Sequence, residues 1–283
     1  MAEVIMERRD FLKSSLAVGL LSGTGLPLLA APAAAPVKYD LVAVRNGEPD
    51  EMFRRGMAAY GGIGRFVKPG QTVLVKPNIG WDKPPDLAAN TNPVLVRAIV
   101  EECVRAGAEV VAFDHTCNNW KFCYRNSGIA AAVEAGGGTM HPGHDQRHYR
   151  EVKLPGAVNL KTAQVHELLL SCDVFINVPV LKNHGGAKLT CAMKNLMGVV
   201  WDRRFYHRND LGRCIADFLT YRKPDLNVVD AYRIMKTNGP RGIGPGDVEL
   251  KKQLLLSSDI LAIDVAAARI IGYDPESISY LRA

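Results

Sequence analysis

Six short, largely apolar runs constrain this chain more than any other feature. Leu41–Val44, Thr72–Val75, Glu109–Phe113, Asp173–Val178, Leu226–Val229 and Leu254–Leu256 lack the strict polar alternation of a strand with one wet face. Strands of this kind are buried on both sides. Between them lie segments with helical spacing: Asp50–Tyr60, Asn92–Ala106, Asn126–Ala135, Val165–Ser171, Asp210–Tyr221 and Asp259–Ile271. In the second of these, Asn92 supplies an N-cap, Pro93 suits the first helical position and Gly107 ends the helix. A further helix is expected over Ala187–Leu196, preceded by Gly185-Gly186. The alternation predicts an α/β fold: a mostly parallel central sheet with helices on both faces, a Rossmann-like three-layer architecture.

The N-terminus reads differently. Arg8-Arg9-Asp10-Phe11-Leu12-Lys13 precedes a glycine-interrupted apolar run from Ser14 to Leu29, which closes in Ala31-Pro32-Ala33-Ala34-Ala35. This is the pattern of a twin-arginine export signal, too broken by Gly19, Gly23, Gly25 and Pro27 to make a spanning helix. Residues 1–35 are therefore expected to be a signal peptide, and residues 36–283 a single α/β domain without a membrane span. Within that domain, 180–209 is a candidate insertion or lid. The expected location is the periplasm, and the export machinery is an expected partner.

Charge narrows the ligand class. The formal net charge is +6, and the acidic and basic residues of the first 35 positions cancel. A mild excess of this size favours anionic ligands. No stripe of basic residues interleaved with aromatics is present, so nucleic acid is not an expected partner. The six cysteines form no Cys-x-x-Cys pair, which argues against a ferredoxin-type iron–sulfur cluster and against a zinc ribbon.

In an open parallel sheet, ligands bind outside the carboxyl ends of the strands. The residues at those exits are Lys76 and Asn78, Asp114 and His115, Lys182, Asn183 and His184, and Asp230. Lys188, Thr190, Lys194 and Asn195 follow close behind the third of these exits. Ammonium and amide donors gathered in this way suit a carboxylate or a phosphate. A lysine crowded by other cations can also act as a base or nucleophile. Lys76, Lys182 and His184 are the candidate catalytic residues. Asn78, Asn183, Lys188, Thr190, Lys194, Asn195 and Asp230 are candidate ligand-binding residues. Asp114 and His115 are candidate metal ligands, leaving a metal ion as a candidate cofactor.

The same residues carry a resemblance. Val-Leu-Val-Lys-Pro-Asn (73–78), Asn-Val-Pro-Val-Leu-Lys-Asn-His (177–184), Thr190 with Lys194-Asn195-Leu196-Met197-Gly198, Asp230 with Asn238-Gly239-Pro240, and Ser258-Asp259 with Asp264 resemble domain-of-unknown-function family 362. The resemblance runs from about Tyr39 to Tyr273 and implies little about activity. Some members carry an added ferredoxin-like module, which this chain lacks. Three functions remain open at this point. One is an exported enzyme or cofactor-dependent protein that binds a small anionic ligand. A second is a periplasmic redox or metal-carrying protein using Cys117, Cys123, His115 and His184. The third is a non-enzymatic solute-binding or assembly factor.

Overall fold

The computed structural model describes residues 40–283. The segment expected to be a twin-arginine signal, residues 1–35, lies outside the described residues. Eleven strands are present among the described residues: β1 (Leu41–Arg45), β2 (Thr72–Pro77), β3 (Glu109–Ala112), β4 (Thr139–Met140), β5 (Tyr149–Lys153), β6 (Thr162–His166), β7 (Val174–Val178), β8 (Val180–His184), β9 (Lys188–Thr190), β10 (Leu226–Met235) and β11 (Val248–Ser257). The helices are α1 (Pro49–Ala59), α2 (Pro93–Arg105), α3 (Trp120–Asn126), α4 (Ile129–Ala135), α5 (Glu167–Ser171), α6 (Ala192–Asn195), α7 (Arg203–Arg208), α8 (Leu211–Phe218), α9 (Ile260–Ile271) and α10 (Ser279–Arg282).

The main sheet runs in the order β1-β11-β10-β7-β2-β3-β4, with β8 and β9 continuing beside β10. Along that path only β11 opposes its neighbours. The mostly parallel α/β fold is therefore as the apolar runs predict. Side chains alternate across the sheet as the pleat requires. Leu74, Val111, Phe175, Val229 and Leu255 join one core, shared with α6, α8 and α9. Val73, Val75, Val110, Ile176, Val228 and Leu254 join the other, shared with α1, α2 and α4. Two buried faces explain why these strands carry no polar stripe. Among the described residues no helix is long and apolar enough to cross a membrane.

Four local expectations need correction. The Asp50–Tyr60 helix begins earlier than the Asp50 cap implied: Glu48 is the cap and Pro49 the first helical residue. The helix expected over 126–135 starts only at Ile129: Asn126 ends a separate helix, α3, and Gly128 at φ +73° turns the chain between α3 and α4. The helix expected over Ala187–Leu196 is divided: Lys188–Thr190 is strand, and the helix starts only at Ala192. Gly185-Gly186 forms the turn of a hairpin between β8 and β9, and only Ala192–Asn195 is helical. No helix starts at Ala187 to aim a positive end at a ligand. The segment 180–209 also begins inside the sheet, since β8 pairs with β10. Pro179 has no N–H for a ladder, so β7 and β8 form two strands along one β10, and Asp230 N donates to Pro179 O at 2.9 Å.

Candidate functional site

The site begins as a polar row within the sheet. Lys76, Asn177, Asn227 and Ser257 stand opposite one another in register on β2, β7, β10 and β11. All are buried. Buried polar groups need partners, and here the partners are each other. Asn195, brought in by α6, donates to Asn177 Oδ1 at 2.8 Å; Asn177 donates to Asn227 Oδ1 at 2.9 Å; Asn227 donates to Ser257 O at 3.3 Å.

Lys76 anchors the active end of this row. Its ammonium donates to Pro77 O at 2.8 Å and to Asn195 Oδ1 at 3.0 Å, and pairs with Asp114 Oδ1 at 2.8 Å. Burial pulls its pKa down, and the Asp114 carboxylate opposes that. The contacts with Pro77 and Asn195 are hydrogen bonds, and the contact with Asp114 Oδ1 is an ion pair without hydrogen-bond geometry. Asp114 Oδ2 accepts from Ile79 N at 2.6 Å. Gly198 closes over the pair; a Cβ there would stand 1.9 Å from Asp114 Oδ1 and 2.7 Å from Lys76 Nζ.

In front of this pair opens a cavity of about 1200 Å³, bordered by Asn78, Asp114, Lys182, Thr190, Lys194 and Asn195 on its inner side. Trp201, Arg203, Arg204 and His207 of the α7 region border it on the outer side, and Pro240 of the glycine-rich loop, residues 239–246, reaches its rim. Lys182 is 1% exposed, and its ammonium donates to Asn78 Oδ1 at 2.7 Å and Ala89 O at 2.8 Å. No carboxylate pairs with it among the described residues. Burial first, then the charges of Lys194 and Lys76, bring its pKa down to about 7. Lys194 is held to about 8 by burial, and its Nζ meets only Met197 Sδ, at 3.5 Å. Thr190 is 5% exposed and its hydroxyl has no partner.

Two histidines flank the cavity in opposite tautomers. His184 Nδ1 accepts from Gly186 N and Ala187 N, each at 3.0 Å, so its proton sits on Nε2. Burial and the nearby lysines hold its pKa near 3. His115 Nδ1 lies 3.1 Å from Val200 O, which makes Nδ1 the donor and leaves Nε2 as a bare acceptor. Burial lowers its pKa to about 4, and its ring stacks on Trp201 at 4.9 Å.

Not every expected residue arrives here. Asn183 ties the glycine-rich loop, accepting from Gly239 N at 3.1 Å and donating to Tyr273 Oη at 2.8 Å. Lys188 is exposed in the β8–β9 hairpin with φ +60°. Asp230 is buried beneath α2, accepting from Asn92 N at 2.8 Å and Tyr232 N at 3.1 Å, and burial raises its pKa to about 6. None of the three borders the cavity. Asp114 and His115 do not form a metal pair: the carboxylate faces Lys76 and the imidazole faces Val200 and Trp201. Among the described residues no group of three His, Cys, Asp or Glu side chains is placed to hold a metal ion. Cys117 is an exposed free thiol at the cavity edge, and Cys123 a buried one. Asn177, Asn227 and Ser257 escaped sequence reasoning as site residues. Their signal was the even spacing from Phe175 to Asn177, which puts both on one face.

A family model described as "Domain of unknown function (DUF362)" matches residues 73–269, well over half of the chain. The chain belongs to this family. The DUF362 match opens inside β2 and closes inside α9, so it contains every residue bordering the cavity. The thylakoid-associated protein sll1697 of Synechocystis sp. is 28% identical over 232 residues, covering 79% of this DUF362 chain and 70% of its own length. A solved structure, the lactate racemase apoprotein from Thermoanaerobacterium thermosaccharolyticum, aligns with a TM-score of 0.44 at 9% identity. That alignment covers 74% of this chain, which spans about half (52%) of the length of that structure.

Proposed function

We propose that this DUF362 chain binds a small anionic molecule, a carboxylate or phosphate, in the cavity at the strand ends, and that Lys182 exchanges a proton with it. The observation that carries this reading is a pair of ammonium groups, Lys182 and Lys194, on one cavity, with no carboxylate partner among the described residues. A buried cation without a counter-ion costs several kcal/mol, and an anion offered by a ligand relieves that cost. Thr190 Oγ, Asn78 and Asn195 add uncharged groups that orient a small polar molecule. A lysine with a pKa near 7 gives or takes a proton readily at neutral pH, which favours an enzymatic or cofactor-dependent role over passive capture. Lys76, ion-paired with Asp114 and hydrogen-bonded to Asn195, holds both in place rather than meeting the ligand. The residues at 8–13 put the protein's work in the periplasm within this proposal, and loss of residues 1–35 from the exported form, read by intact mass, tests that part.

The binding test is calorimetry with acetate, inorganic phosphate and a phosphate monoester. Replacing Lys194 with Gln removes a charged hydrogen bond and is expected to weaken binding by about 1.5–3 kcal/mol, roughly 10- to 150-fold. The ligand needs charged ammonium groups, so affinity falls as pH rises past about 7, the pKa of Lys182, and further past about 8, that of Lys194. A panel with no binder, or a Lys194→Gln protein that binds as the parent does, contradicts the proposal.

A further inference from the structure

We propose that Lys182 forms a covalent imine with the carbonyl carbon of an oxo acid whose carboxylate rests against Lys194. The inference rests on the anion-binding reading and names the class of molecule that the site takes.

The geometry at Lys182 Nζ carries it. The nitrogen has two acceptors, Asn78 Oδ1 at 2.7 Å and Ala89 O at 2.8 Å, for three N–H bonds. A neutral amine keeps both of these bonds, and its lone pair takes the third, unpartnered direction. Lys182 borders the cavity, which places this amine on the wall of the space a bound molecule would fill. Lys76 is the contrast: Asp114 Oδ1 lies 2.8 Å from its nitrogen and favours the charged form, which has no lone pair. Desolvation and a neighbouring cation are the two devices that make a lysine nucleophilic, and both act on Lys182. Lys194, which has no oxygen acceptor, is the natural seat for the acid's carboxylate. The outer part of the cavity leaves room for the rest of the chain of such an acid.

The chemistry closes without an outside oxidant or reductant. The Lys182 lone pair attacks the carbonyl carbon, and the C=O π pair moves to oxygen, which takes a proton. The nitrogen, left as an ammonium by the attack, gives up a proton and regains its lone pair. The carbinolamine then loses that oxygen as water with a second proton, and the lone pair forms C=N. Loss of the remaining N–H proton leaves the neutral imine, so the two protons taken from nitrogen balance the two delivered to oxygen. The Lys194 ammonium, which borders the same cavity, delivers the protons to oxygen and recovers them from nitrogen, while the neutral His184 ring donates only a hydrogen bond through Nε2–H.

Incubation of the full chain with 2-oxobutanoate and sodium borohydride at neutral pH tests this. Borohydride reduces an imine to a stable secondary amine, which intact mass and peptide mapping then locate. The expected result is one adduct per chain, on Lys182. It is absent with 2-hydroxybutanoate, which has no carbonyl, suppressed by excess acetate, and lost in Lys182→Met. No adduct, or an adduct spread over exposed lysines such as Lys68 and Lys223, overturns the proposal without depending on whether the variant folds. Calorimetry separates the two readings. If 2-oxobutanoate binds and Lys194→Gln weakens it while no adduct forms, only the imine falls; if nothing binds, both fall.

Discussion

Replacing Lys182 with Met should change how the stability of this protein depends on pH, and by a calculable amount. In the unfolded chain the ammonium titrates near 10.4. In the fold, burial among cations holds it to about 7. Between those values the unfolded state binds more protons than the native state, so native stability rises with pH. Below about 7 both states carry the charge, and the native state bears the whole cost of burying it. Linkage over the interval from pH 6 to pH 9 gives the wild type a gain of about 2.5 kcal/mol that the Met variant lacks. Met also leaves Asn78 Oδ1 and Ala89 O without a donor, at about 1–3 kcal/mol each, but that offset is the same at both pH values and cancels in the comparison. The assay is urea unfolding of both proteins at pH 6 and pH 9. The variant is expected to be better placed relative to wild type at pH 6 than at pH 9. An equal stability difference at the two pH values would refute the claim that a buried, unpaired ammonium sits at this position.

Two further substitutions probe the scaffold. Gly198→Ala drives a Cβ into the Lys76–Asp114 pair, so it should lower stability by about 1–3 kcal/mol or more, seen as a lower Tm; an unchanged Tm would mean that this backbone does not close on the pair. Asp264 caps α6 by accepting from Ala192 N at 2.7 Å and Met193 N at 3.0 Å, and burial raises its pKa from 3.8 to about 6. The native state therefore holds this proton more tightly than the unfolded chain, and stability is lost as pH rises from about 4 to about 6. Asp264→Asn removes that dependence, worth about 2 kcal/mol across the interval, and parallel stability profiles of the two proteins would contradict it.

The layers of the fold were legible because apolar strands without alternation have one explanation, burial on both faces. The strand-exit residues were legible for the same reason: Lys76 directly after Val73-Leu74-Val75 must stand at the end of a buried strand. What failed was local. Gly185-Gly186 ahead of a mixed segment reads equally as a helix entry or a hairpin turn, and the pairing of His184 with Lys188 decided for the hairpin. Ser127-Gly128 broke a helix that composition alone carried through. The polar row was hidden because Asn177 and Asn227 are 50 residues apart and each looks like a single interruption in an apolar strand. Only the parallel register of β7 and β10 sets them side by side. Asp230 shows the opposite error: a strand-exit acid that serves the helix packed above it rather than the cavity. Tautomers were out of reach as well, since His115 and His184 differ only in which backbone groups meet Nδ1.

The titration of Lys182 itself tests the central claim most directly. The carbon beside its ammonium, followed by NMR in lysine-labelled protein and assigned with Lys182→Met, reports the charge on that one nitrogen. A midpoint near 7 is expected in the free protein, moving upward when acetate or phosphate fills the cavity, because a bound anion favours the charged form. A midpoint near 10.4, or one that saturating anion leaves in place, would contradict the account.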